Sequence, residues 1–339
     1  MTVKYSKLIK MNFLLNADNI DGLNNFLRHK AWLKRNEVVF SATKPGEGNM
    51  NCVLRITTNM GSYIIKQSRS YVEKYPQVAA PKERAMSEAA FYNCIQQNPF
   101  LLQHTPQILN VDEENNILLL EDLGTTTDFT YLYEGERKLT EKDVYALTAF
   151  LNELHVNVIK NSDPLLRNES MKQLNHQYIF VYPFMENNGL DLNTITAGLQ
   201  ELSMQYKKDE TLKAKAKLLG EIYLEEGNCL LHGDYYPGSW LNTNNGIKII
   251  DPEFSFFGYP EFDLAVMIAH CYLSAQPQAI IDCIMAAYNR KDDFNEELLN
   301  QFIGIEIMRR LLGLAQVPVV ATLETKKALL KKSYAFIMS

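Results

Sequence analysis

Residues 230–240 read LLHGDYYPGSW. Two leucines close an apolar run, a histidine, a glycine and an aspartate follow, and Pro237 and Gly238 then bar a helix. Asp234 therefore leaves a strand on a stiff turn, which is how a fold holds a carboxylate for acid or base work. A second acidic cluster lies downstream in GIKIIDPEF (residues 246–254), where Asp251 and Glu253 flank Pro252 directly after an apolar strand. Closely spaced carboxylates without cysteine or clustered histidine suit a hard, oxygen-loving cation such as Mg²⁺. Mg²⁺ is commonly shared with phosphates, so the pattern points to phosphoryl transfer, with Asp234 as a separate acid that accepts a hydroxyl proton. The bland alternative is that all three acids merely cap or solvate turns.

Such chemistry needs a phosphate cradle and a cation, and the upstream third offers both. VVFSAT, NCVLRITT and SYIIKQ are short β-branched or alternating runs, separated by KPGEGN and NMG, and predict an antiparallel meander. Gly46 and Gly48 lie in the first connection, where missing side chains let backbone N–H groups approach phosphate oxygens. Lys66 sits near the end of the third run. Glu88, in the predicted helix of APKERAMSEAAFYNCIQQ, could hold its ammonium, with Glu83 as a competitor. The order of these parts is that of a protein kinase: glycine loop, strand lysine, helix glutamate, catalytic aspartate, metal aspartate. The spacing from Asp234 to Ser239 matches D-x-x-x-x-N, with serine in the asparagine place and so a third metal donor. His232 reads as structural rather than as a base, because no Ser or Cys partner accompanies it. Tyr235 and Tyr236 are read equally as packing residues or as a flat wall for a substrate.

A chain of 339 residues can hold about two cores. After Gly124 strands almost vanish, and TEKDVYALTAFLNELHVNVI, EFDLAVMIAHCYL and NQFIGIEIMRRLLGLAQ predict helices. The expected class is α+β, with residues 1–124 as a sheet-rich, nucleotide-binding lobe and 125–339 as a mainly helical lobe carrying the catalytic loop. A net charge of -6 argues against a nucleic-acid or anionic-membrane partner. Five scattered cysteines without C-x-x-C read as free thiols in a reducing compartment, and a cytoplasmic location is expected. The partner is then a small molecule, with a homodimer left open.

GEGNMNCVLRI, YIIKQSRSYV, LLLEDLG, LLHGDYYPGSW, IDPEFSFFGYPEFDL and IMRRLLGLAQV together span residues 46–317. On these the chain resembles the protein-kinase-like superfamily of small-molecule kinases that includes aminoglycoside phosphotransferases and choline kinases, and within it the methylthioribose kinase branch. The resemblance implies a bilobal protein-kinase-like fold and transfer of the γ-phosphate of ATP, with Mg²⁺, to a hydroxyl of a small molecule. It implies that Asp234 orients or deprotonates that hydroxyl and that Asp251 and Glu253 hold Mg²⁺–ATP. Lys66, partnered by Glu88, would contact phosphates, and Gly46, Gly48 and Asn49 would cover the nucleotide. The backbone from Glu121 to Leu123 would bond adenine, and Arg309 and Arg310 would approach the sugar and the phosphoryl group. Adjacent helical residues diverge by about 100°, so the two arginines are not expected to share one face. The chain departs from that branch at Tyr235 and Tyr236, where a Leu-His pair is usual. Three rival readings remain: another acceptor such as choline or an aminoglycoside, a non-catalytic nucleotide-binding pseudokinase, or metal-dependent hydrolysis, which leaves GEGN and Lys66 idle.

Overall fold

The computed structural model describes residues 12–46, 48 and 50–339; Asn49 lies outside the described residues. The chain forms two compact units. The first runs through Ala89 and takes back Pro106–Leu123; the second comprises Ala90–Thr105 and Gly124–Ser339. Residues 90–105, expected with the first 124, thus belong to the second unit. There Asn98 Nδ2 donates to Glu153 (3.0 Å) and the His104 carbonyl accepts from Ile249 N–H (2.7 Å).

In the first unit, helix α1 (Ile20–His29) precedes strands β1 (Val39–Thr43), β2 (Cys52–Thr58), β3 (Gly61–Gln67), β4 (Tyr71–Val72) and β5 (Tyr75–Ala79). Helix α2 (Arg84–Cys94) begins here, and β6 (Ile108–Asp112) and β7 (Ile117–Glu121) complete a sheet of order β1-β2-β3-β7-β6. Every pairing in it is antiparallel, as the meander predicts. The Asn19 side chain accepts from Gly22 N–H and opens α1, whose Leu23, Phe26 and Leu27 recur at helical spacing and are fully buried. They pack with Leu54, Ile56, Ile65 and Leu119, and Phe13 stacks on Phe26 with centroids 4.3 Å apart. Side chains alternate across a strand. Ile65 of β3 joins this core, so its neighbour Lys66 projects from the opposite face of the sheet.

The second unit holds α3 (Pro99–Gln103), α4 (Glu141–Asn157), α5 (Glu169–His176), α6 (Leu199–Lys207), α7 (Glu210–Leu224), α8 (Glu261–Leu273), α9 (Gln278–Ala287), α10 (Glu296–Leu312) and α11 (Leu323–Ile337). Its strands are short: β8 (Thr127–Asp128), β9 (Cys229–Leu231), β10 (Trp240–Thr243), β11 (Gly246–Ile249) and β12 (Phe256–Gly258). They pair as β11-β10-β8 and β12-β9. Thr140 and Asp143 cap α4 as a reciprocal box. The core helix α8 is buried on every side from Glu261 to Cys271 and packs on α10, itself buried from Gln301 through Leu312. All five cysteines are free. Among the described residues no helix is long and apolar enough to cross a membrane.

Helix α10 meets α11 at Gly304. Its carbonyl accepts from Ser333 Oγ (2.7 Å), and a Cβ there would lie 2.6 Å from both the Ser333 carbonyl oxygen and Ile337 Cγ1. Helix propensity alone makes Gly→Ala stabilising by about 1 kcal/mol, but a clash with fixed backbone reverses the sign. Gly304→Ala is expected to lower stability by about 1 to 3 kcal/mol, read as an earlier urea midpoint; a raised midpoint would show that the two helices can separate freely.

Candidate active site

Strand β9 ends at Leu231, and its pairing with β12 leaves the next N–H groups without sheet partners. Asp263 of α8 takes both. Its Oδ2 accepts from His232 N–H (2.6 Å) and its Oδ1 from Gly233 N–H (2.9 Å). Gly233 has φ +85°, and a Cβ there would lie 2.3 Å from the Phe254 carbonyl oxygen, so no other residue fits. His232 is fully buried. Its Nε2 donates to the Ile250 carbonyl (2.9 Å), which fixes the tautomer and leaves Nδ1 to accept the longer contact from Asp234 N–H (3.4 Å). Burial holds this imidazole below its ordinary range despite the carboxylates of Asp263, Asp234 and Asp251 nearby. Both ring nitrogens serve the backbone, and the residue is structural.

From Asp234 the chain tightens. Its carbonyl accepts from Tyr236 N–H (3.0 Å) and from Ser239 Oγ (2.9 Å), while the Ser239 carbonyl accepts from Ile250 N–H (3.0 Å). Ser239, expected as a metal donor, is buried, and its backbone and hydroxyl sew the loop to the end of β11. Tyr235 and Tyr236 separate in role. Tyr235 is fully buried, stacks on Phe150, and donates its hydroxyl to the Leu147 carbonyl (2.9 Å). It is a packing residue, not a substrate wall. Tyr236 is half-buried, and its ring lies under the Arg310 guanidinium at 4.9 Å and beside His270. Burial and then the Asp234 carboxylate push its phenol above the ordinary range, with Asp251 adding in the same direction.

The Asp234 carboxylate faces α10. Its Oδ1 accepts from Arg310 (2.8 Å) with Arg309 at 3.9 Å. Both arginines also bind Glu306, at 2.8 Å from Arg309 and 2.6 Å from Arg310. The expectation that they part company fails for a geometric reason. Residues three and four positions beyond Glu306 lie about 60° and 40° to either side of it, so one carboxylate gathers both. Burial opposes the charge on Glu306, but Arg309, Arg310 and His270 hold its carboxyl well below the usual range. Burial likewise opposes the Arg310 charge, and Glu306 and Asp234 more than restore it. His270 of α8 extends the network, with Nε2 3.2 Å from Glu306 and Nδ1 2.6 Å from the Tyr133 hydroxyl. Among the described residues no protein donor reaches Asp234 Oδ2.

Asp251 follows β11 in the left-handed conformation (φ +63°), one of the few residue types that tolerate it. The next turn is pinned by Asn168, whose Nδ2 donates to the carbonyls of Glu253 (2.9 Å) and Ser255 (3.0 Å). Glu253 is buried and Asp251 half-buried. Among the described residues no group of three or more His, Cys, Asp or Glu is placed to hold a metal ion by itself. Carboxylate oxygens are the donors Mg²⁺ takes, alongside waters and phosphate oxygens, and not the set typical of structural zinc.

In the first unit, Lys66 Nζ donates to both oxygens of Glu88 (3.0 and 2.9 Å), with both side chains buried. Glu88, rather than Glu83, is its partner. A Cβ on Gly46 would meet nothing within 4 Å, and one on Gly48 the Asn51 carbonyl oxygen at 3.3 Å and Val53 Cγ2 at 3.8 Å. At the end of β7, Glu121 N–H donates to the Gln107 carbonyl (2.9 Å), Leu123 is half-buried, and the Asp122 carboxylate between them holds Arg55 through two bonds (2.9 and 3.0 Å).

Residues 41–298 match the phosphotransferase enzyme family, and the chain belongs to it. It is 28% identical over 331 residues to a methylthioribose kinase of Exiguobacterium sibiricum, covering 82% of this chain and 80% of that one. A methylthioribose kinase of a Geobacillus strain is 26% identical, with coverage of 86% and 82%. Among solved structures, that of LicA in complex with AMP superposes over 95% of this chain and all of that one, with a TM-score of 0.57 at 12% identity; LicA is a choline kinase from Streptococcus pneumoniae. The fold is therefore the protein-kinase-like one of these phosphotransferases.

Burial pushes the His270 imidazole down to about 4, below its ordinary 6.5, and the hydrogen bond it donates to Glu306 only partly offsets this. The unfolded chain thus binds this proton before the native state does, and stability falls as pH drops from about 6.5 toward 4. The contribution is about 3 kcal/mol. His270→Asn should flatten the urea-midpoint profile between pH 7 and 4 by an amount of that order; an unchanged slope would place the acid sensitivity elsewhere.

Proposed function

We propose that the protein is an ATP- and Mg²⁺-dependent kinase that phosphorylates a hydroxyl of a methylthioribose-like sugar. The observation that carries this reading is the asymmetry of Asp234: one carboxylate oxygen is locked to Arg310 and the other is left to an incoming hydroxyl. The names of the relatives support the acceptor, and the AMP held by LicA supports an adenine nucleotide.

Asp234 Oδ2 accepts the proton of the acceptor hydroxyl as its oxygen forms a bond to the γ-phosphorus. The bond from that phosphorus to the β,γ-bridging oxygen breaks, ADP leaves, and the proton stays on Asp234 until product departs. Arg310 keeps the carboxylate from rotating. Arg309, whose Nε has no partner among the described residues, supplies a buried donor for the acceptor or the phosphoryl oxygens. Tyr236 forms a flat wall beneath Arg310. Asp251 and Glu253 would hold Mg²⁺, which supplies charge neutralisation to the phosphates. Lys66, aimed by Glu88, adds a further cation for them, and Gly46 and Gly48 permit backbone N–H groups to come close. The backbone at Glu121 to Leu123 takes the adenine edge.

Rate enhancement on this reading comes from placement and charge, so deleting either key acid should cost at least about 3 kcal/mol, a hundredfold or more in kcat. Asp234→Ala and Asp251→Ala are expected to lose that much while the urea midpoint stays near wild type. An ADP-release assay over methylthioribose, other sugars, choline and aminoglycosides checks the acceptor, and methylthioribose should lead by kcat/KM. Retention of more than a tenth of wild-type kcat by either variant would sink the mechanism, and a clear preference for choline would sink the acceptor.

A further inference from the structure

Arg84, at the start of α2, is fully buried and has no part in the roles above. A guanidinium carries five N–H donors in a rigid fork. Here Nε donates to Asn51 Oδ1 (2.8 Å), Nη1 to the carbonyls of Arg69 (2.5 Å) and Pro81 (2.7 Å), and Nη2 to those of Met50 (2.6 Å) and Tyr71 (3.1 Å). Three separate pieces of chain converge on it: the exit of the glycine-bearing connection, the start of the β4–β5 hairpin, and the lead into α2. The hairpin is braced on the same exit, since Glu73 N–H donates to the Met50 carbonyl (3.2 Å) and Arg69 pairs with Glu73 (3.0 Å).

One turn further along α2 stands Glu88, four residues on and so on the same stripe of the helix. It holds Lys66. A single helical face thus fixes both where the glycine connection leaves for β2 and where the strand lysine points. We propose that Arg84 is a positioning residue for nucleotide binding: it sets the exit of the glycine connection against the Lys66–Glu88 pair. Lysine replaces it only in part, because an ammonium has three donors and no fork. The proposal rests on the reading that this unit takes ATP.

The test compares wild type, Arg84→Met and Arg84→Lys by steady-state kinetics and by titration with a fluorescent ATP analogue without acceptor. Arg84→Met should raise the KM for ATP and weaken analogue binding at least tenfold. The KM for methylthioribose should stay within about twofold. Arg84→Lys should fall between, at three- to tenfold. A folded Arg84→Met with wild-type ATP affinity overturns the proposal. So does loss of both KM values in parallel, or failure of both variants to fold, since each would make Arg84 a general structural residue. A wild-type protein that binds no analogue overturns the ATP reading instead, and is told apart because the flat titration is that of the unmutated chain.

Discussion

The hydrogen bonds from two consecutive backbone N–H groups to Asp263 are what the rest of this site depends on. A three-residue strand cannot by itself aim the residue that follows it, and a buried N–H left without a partner costs about 1 to 3 kcal/mol. Asp263 removes that penalty twice with one carboxylate, and His155 touches the same Oδ2 at 3.3 Å. The turn is then fixed from three sides: by α8 through Asp263, by β11 through the His232 ring, and by the backbone of Phe254 against Gly233. Asp234 inherits its direction from a helix and a strand rather than from a loop. Sites borne on such elements hold geometry more tightly than sites carried by loops alone.

The four charges around Asp234 form a balanced set, two carboxylates and two guanidiniums, nearly all buried. A buried ionic network is weak evidence for stability, because desolvation offsets much of the Coulombic gain. Its value here is geometric. Glu306 pins both arginines, so Arg310 meets Asp234 at a fixed angle, and His270 and Tyr133 pin Glu306 from behind. Each member is held by at least one other.

Much of this was legible in the sequence, and the parts that were not share a cause. The β1-β2-β3 meander, α2, α4, α8 and α10 follow from period and caps, and Lys66 finds Glu88 because strand alternation and helix position both demand it. The role of Asp263 is hidden because EFDLAVMIAH reads as an apolar core helix; yet an acid inside a helix buried on every side needs a donor, and that oddity is the available signal. The angle between the two arginines does not show their convergence, which comes from Glu306 one turn back. Tyr235 and Tyr236 were held alike, although consecutive residues after a strand point opposite ways, one into the core and one toward Arg310. The β4–β5 hairpin and β6 leave no clear periodic signal because their strands are short and mixed in polarity.

Charge balance also bears on the acceptor. With two carboxylates already matched by two guanidiniums, the network offers no net negative charge to attract a cationic acceptor such as choline beside Arg309 and Arg310. A neutral sugar needs none. Its hydroxyls can donate to Asp234 Oδ2 and accept from Arg309 Nε, which leaves the network as it stands. The same reasoning explains why a neutral His270 belongs behind Glu306: a third cation in the cluster would loosen the hold of that carboxylate on the arginines. Burial keeps the ring uncharged near neutral pH, so the balance of two against two persists through the range in which the site would work.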